Sequence, residues 1–153
     1  MQLISPHPDV RIALDWQYKA KAVLTPSEAL FHQLLLKHTI PGRVHIMIKP
    51  RMADFLDHQN KSVAFNKISQ KHVDFLVCLP GDWMPMLGIE LDDDSHSKTE
   101  VKKRDMFVNA VFAQVGIPLL RIHVAELENI TSLVQKLSLA WSQRWQRLTC
   151  RTG

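Results

Sequence analysis

The sequence has no apolar run near the roughly 18 residues that a membrane span requires, so no contact with a membrane is expected. Its first sixteen residues, MQLISPHPDVRIALDW, have no basic start followed by an apolar stretch. No secretory leader is expected, and the cytoplasm is the expected compartment. Only two cysteines are present, Cys78 and Cys150, far apart in the chain. That excludes a disulfide framework and a cysteine zinc knuckle. Cys78 lies inside Phe75-Leu76-Val77-Cys78-Leu79 and reads as a small buried hydrophobe. Five glycines and eight prolines exclude collagen-like and low-complexity classes. There is no glycine-rich loop of the kind that cradles phosphates, and no Gly-x-Ser-x-Gly turn to carry a serine nucleophile.

What is present is an ordinary globular composition, 46% hydrophobic and 22% charged over 153 residues, enough for one domain and its core. The net charge is +4, and its distribution is uneven. Seven Lys or Arg lie between Lys37 and Lys71 against two acids, Asp54 and Asp57. Beyond Lys136 come Arg144, Arg147 and Arg151 with no acid. The acids gather instead at Glu90, Asp92, Asp93, Asp94 and Glu100. A basic chain with one acidic knot suits a metal site set in a phosphate-binding surface, although solvated surface charge explains the same counts.

Three segments are expected: an N-terminal arm over 1–23, a central domain over 24–123, and a C-terminal helix over 124–153. Thr25-Pro26-Ser27-Glu28 is a helix start, with Thr25 as cap, Pro26 in the first turn and Glu28 completing a capping box. The apolar pattern carries that helix to about residue 37. Alternation predicts a strand over 43–49, and continuous apolar runs predict strands over 73–79 and 84–91, joined as a hairpin by Pro80-Gly81-Asp82. A helix over 100–115 stops at Gly116, with Pro118 just beyond. A short strand over 119–123 follows, then a helix over 125–148 on the stripe Leu127, Ile130, Val134, Leu137, Trp141, Trp145, Leu148. This order predicts an α/β fold, a mixed central sheet flanked by helices, with an extra C-terminal helix. Trp141 and Trp145 read as core or as a contact between two copies of the chain rather than as a platform for bases.

The chemistry centres on three carboxylates. Asp74 interrupts an apolar run, where an acid is costly unless it is paired or bound to a metal. Glu90 and Asp92 end the next predicted strand and share a face, as do His72 and Asp74. In a hairpin the three acids converge, and hard oxygen donors favour Mg²⁺ or Mn²⁺. Salt bridges from Asp74 and Glu90 to Lys71 or Arg104 are the alternative. His96, four residues past Asp92, is a possible general base, metal ligand or bystander. Arg104 shares a helical spacing with Val101, Val108, Val111 and Val115, so it is expected on the core-facing stripe, where a cation needs an anion. Glu28 can reach the same site from the first helix, or serve only as a cap.

Taken together, Lys71-His72-Val73-Asp74-Phe75, Ile89-Glu90-Leu91-Asp92-Asp93 with His96, Arg104-Asp105, and Gly116-Ile117-Pro118-Leu119-Leu120-Arg121-Ile122 resemble an uncharacterised bacterial domain family of the PD-(D/E)xK nuclease superfamily. The likeness is to its branch similar to very-short-patch-repair endonucleases and covers about residues 24–123, with Thr25 to Glu28 matching the opening helix. The resemblance implies a restriction-endonuclease-like fold and a Mg²⁺- or Mn²⁺-dependent endonuclease acting on DNA. It makes Asp74 and Glu90 the metal-binding acids, with Asp92 a further ligand. The superfamily signature places a lysine two residues after the second acid, and here that residue is Asp92. The resemblance then puts His96 in the lysine's role, with His72 as the weaker candidate. If neither serves, the implied function is a catalytically inactive nucleic-acid-binding module of a larger DNA-processing or mobile-element system.

Overall fold

Thr25 caps the first helix as its residues predict. In the computed structural model, which describes residues 19–39, 44–57, 63–93 and 99–150, α1 spans Pro26–Leu34 and continues as one π-helical turn over Leu35–Thr39. Thr25 Oγ1 accepts from the Glu28 backbone N–H at 3.2 Å, and Glu28 Oε2 accepts from the Thr25 N–H at 2.8 Å. The reciprocal pair satisfies two amides that a helix start otherwise leaves open.

Four strands follow: β1 (His45–Ile48), β2 (Phe75–Cys78), β3 (Pro85–Asp92) and β4 (Leu119–His123). They form one sheet in the order β1-β2-β3-β4. The pairs β1–β2 and β2–β3 are antiparallel, and β3–β4 is parallel. The expected hairpin is β2–β3. Its turn carries Gly81 at φ 94° and Trp83 at φ 59°, and the indole stacks on His45 with ring centroids 3.9 Å apart. The parallel pair needs a long crossover, supplied by α4 (Thr99–Val115). Gly116, at φ 70°, ends that helix in the left-handed conformation glycine adopts without strain. Two short helices, α2 (Met52–Phe55) and α3 (Val63–Ile68), lie between β1 and β2. The arm over 1–18 lies outside the described residues.

The sheet separates two apolar layers. Phe75, Val77, Leu87 and Ile89 pack with Phe31 and Leu35 on one side and with Leu133, Leu137 and Ala140 of the last helix. Leu76 and Cys78 pack on the other side with Met52, Ile68, Val108 and Phe112. Gly88 lies against the Phe112 ring so closely that an added Cβ would run into it. Cys78 is buried as expected, and burial pushes its thiol up to about 11. Among the described residues no helix is long and apolar enough to cross a membrane.

The last helix departs from expectation in two ways. It is broken: a 3₁₀ segment over Val124–Glu128 gives way at Asn129 to α5 (Ile130–Thr149), because the Asn129 side chain caps the Ser132 N–H at 3.1 Å. Its buried face is also turned from the predicted stripe, running through Leu133, Leu137, Ala140 and Arg144, while Trp145 is about half exposed. Arg144 is not part of a solvated basic tail. It is 6% exposed, and its guanidinium donates to the carbonyls of Pro85 (3.3 Å) and Gly116 (3.0 Å), tying α5 to the start of β3 and the end of α4.

Candidate functional site

The site forms where β2 begins and β3 ends. Phe75 pairs with Ile89, so one residue further out Asp74 stands opposite Glu90. Asp74 precedes the strand and is held in place from two sides. Its carbonyl accepts from the Lys49 N–H at 2.9 Å, and its Oδ2 accepts from the Leu91 N–H at 2.8 Å. Both carboxylates line a cleft of about 290 Å³ that also takes in Glu28, His72, Asp92 and Arg104.

Charge in this cleft is poorly balanced. Burial raises the Glu90 carboxyl from its ordinary 4.5 to about 7, and the Asp74 charge pushes the same way against Arg121 and Arg104. Asp74 is also raised, first by burial, with Glu28 adding repulsion and the Leu91 amide and Lys49 opposing. A pair of acids held facing each other at this cost is the electrostatic setting a divalent cation relieves, and the donors are the hard oxygens that Mg²⁺ and Mn²⁺ prefer. The donor chemistry therefore fits the implied metal. Among the described residues the side chains make a pair rather than a gathered set of three metal-ligating groups.

Asp92 also lines the cleft, but its carboxylate leans to Arg121, 3.5 Å from Nη1. Arg121 stands beside Glu90 in the parallel register and also pairs with Asp105 at 3.2 Å. His96 lies outside the described residues. His72 is in the cleft wall, joined to Arg51 by an isolated antiparallel bridge. Arg104 also borders the cleft, but it is solvent-exposed rather than buried in the core. The predicted face is the one that packs, with Val108 and Phe112 buried and Val111 and Val115 against them; Arg104 lies on it one turn before Val108, where the helix passes beyond the core to the edge of the cleft.

Glu28 caps α1 and also borders the cleft. One oxygen caps α1, and the other accepts from Lys49 Nζ at 2.8 Å. Burial alone would raise this carboxyl; the bonds from Lys49 and the Thr25 amide hold it below the usual range. Lys49 follows β1 with φ 50°, a conformation uncommon outside glycine, and so joins the backbone of Asp74 to the side chain of Glu28. Sequence reasoning missed Lys49 and Arg121 as site residues. A signal existed for Arg121, a cation inside Leu119-Leu120-Arg121-Ile122, where an apolar strand needs a reason to carry charge.

The family described as a protein of unknown function (DUF2726) matches residues 20–140, and the chain belongs to it. The match includes every candidate residue named above. No curated protein and no solved structure matches the chain.

Proposed function

We propose that this member of the DUF2726 family is a metal-dependent nuclease that hydrolyses phosphodiester bonds in DNA, on a restriction-endonuclease-like fold. The observation that carries the reading is the Asp74–Glu90 pair, facing across an antiparallel hairpin in a cleft whose rim bears His72 and Arg104. The sheet, with two antiparallel pairs and then a parallel one crossed by α4, supports the same reading.

Asp74 and Glu90 would hold Mg²⁺ or Mn²⁺, with Asp92 as the further donor. The bound ion supplies an activated water and charge neutralisation at the scissile phosphate. The Leu91 amide and the Lys49 amide fix the Asp74 carboxylate and its backbone, so the pair keeps its geometry as substrate enters. Lys49 neutralises Glu28, which leaves one fewer free anion to repel a phosphate. Arg104 faces the cleft from solvent and orients the phosphate. His72 is within the cleft to take a proton, and His96 is the other candidate for that role.

The test is cleavage of supercoiled plasmid and labelled single-stranded DNA with Mg²⁺, Mn²⁺ or EDTA, wild type beside Asp74→Ala. Metal-dependent cutting that the folded variant loses supports the nuclease. A variant that cuts at the wild-type rate removes Asp74 from the chemistry. One observation favours a second reading, an inactive nucleic-acid-binding module: Asp92 stands in the signature lysine's position and is ion-paired to Arg121. DNA binding without metal-dependent cutting would select it.

A further inference from the structure

The acidic cleft opens on one side into a groove of about 500 Å³ with the opposite character. Its walls are Gln70, Lys71 and His72, in the segment leading to β2, and Lys103, Arg104 and Phe107 on α4. No acidic side chain among the described residues lines it. His72 and Arg104 belong to both cavities, so the groove and the cleft are one continuous surface.

The cations are placed rather than scattered. Lys71 Nζ donates to the Lys67 carbonyl at 2.7 Å and stands 5.0 Å over the Phe107 ring, so its ammonium is held at the groove wall. Lys103 and Arg104 are exposed on consecutive positions of α4, and neither makes an ion pair among the described residues. An isolated anion would need only one of these groups. Three positive charges, one of them held in place, and an imidazole line a groove that runs out of the carboxylate cleft, and this row matches a ligand that presents anions in series.

We infer that the Lys71–His72–Lys103–Arg104 groove binds the sugar–phosphate backbone of a nucleic acid, holding the phosphates next to the one over Asp74 and Glu90. This inference rests on the nuclease-fold reading of the cleft and names where its substrate runs. The Phe107 ring forms the apolar floor on which a sugar or base edge can rest. Contacts of this kind position a strand without reading its sequence.

The experiment is binding of a fluorescein-labelled oligonucleotide, single-stranded and duplex, followed by anisotropy in EDTA over a salt series. It needs no cleavage. The proteins are wild type, Lys103→Gln, Lys71→Gln with Lys103→Gln, and Lys37→Gln as an exposed charge outside the groove. The groove predicts that the slope of log K against log salt falls by about one per phosphate contact removed, hence by about two in the double variant. Lys103→Gln, at an exposed position, tests the groove even if the double variant does not fold. Lys37→Gln leaves the slope unchanged. Equal losses from Lys37→Gln and Lys103→Gln would overturn the groove, because charge alone would then be responsible. Binding with an unchanged slope in both groove variants would overturn the groove and leave the nuclease reading standing. A reduced slope in a protein that never cuts would support the groove and remove the nuclease. No binding by wild type to either oligonucleotide would overturn both.

Discussion

Glu90→Gln should make the protein more stable at neutral and alkaline pH and leave it unchanged in acid. Glu90 is raised from 4.5 to about 7, chiefly by burial and then by the Asp74 charge. An acid whose value is higher in the folded state costs no stability below its unfolded value. The cost grows as pH rises from 4.5 and is complete above about 7. Two and a half pH units at about 1.36 kcal/mol each put this cost near 3 kcal/mol at most. Glutamine has nearly the same shape and never ionises, so it escapes the cost. For a domain of this size about 3 kcal/mol corresponds to roughly 6–12 °C in Tm. The assay is urea and thermal unfolding of both proteins at about pH 5 and about pH 8, without metal. The wild type should approach the variant in stability at the lower pH and fall behind at the higher one. A variant equally or more weakly stable than wild type at both values would refute the electrostatic account of this cleft.

Mg²⁺ or Mn²⁺ should raise the wild-type Tm at about pH 8 by selective binding to the folded state, and should not raise that of Asp74→Ala, as read by scanning fluorimetry; equal shifts in the two proteins would place the ion elsewhere. Lys49→Met strands the buried Glu28 carboxylate and should cost roughly 1–3 kcal/mol at neutral pH. Because Lys49 helps hold Glu28 below its ordinary 4.5, that loss should shrink in urea melts as pH falls through the acid range, and a pH-independent loss would refute the pairing. Gly88→Ala drives a methyl into the Phe112 ring and should destabilise by about 1–3 kcal/mol in the same melts, whereas an unchanged midpoint would mean that the ring gives way freely.

How far the residues alone disclosed this arrangement depended on how local the signal was. The β4 strand is where the pattern predicts it, over Leu119–His123; β2 falls inside its apolar run and β3 runs one residue past the end of its own, to Asp92, because the buried stretches of these two strands leave a clear apolar composition. Asp74 and Glu90 were legible for the same reason, as acids out of place in such runs. The break at Asn129 was hidden because the apolar spacing passes through it, while a single side-chain cap decides the backbone. Arg104 was expected in the core and is exposed because a helical spacing gives the face that packs but not how far along the helix the core extends. Lys49 was out of reach, because it follows a different strand and lies 21 residues from its partner Glu28; Arg121 stood out as a cation in an apolar strand, but its partners did not. Only the tertiary register brings these two cations to the acids.

Arg144 bears on when the molecule becomes complete, as well as on what holds it. Its guanidinium reaches Pro85, 59 residues earlier in the chain, and Gly116, 28 residues earlier. None of these acceptors is near it until the sheet has formed and α4 has ended. The helix that carries Arg144 can form early by its own local bonds, but the clasp cannot, because closing such long loops must precede any gain from the contact. It thus rewards the finished fold and does little for the transition state. Interactions of that kind act mainly on escape from the native state, so Arg144→Met should speed unfolding while leaving the refolding rate nearly unchanged. On this view the last helix serves as a brake on opening, and the cleft at the far end of β3 owes its persistence in time to a residue that never touches it.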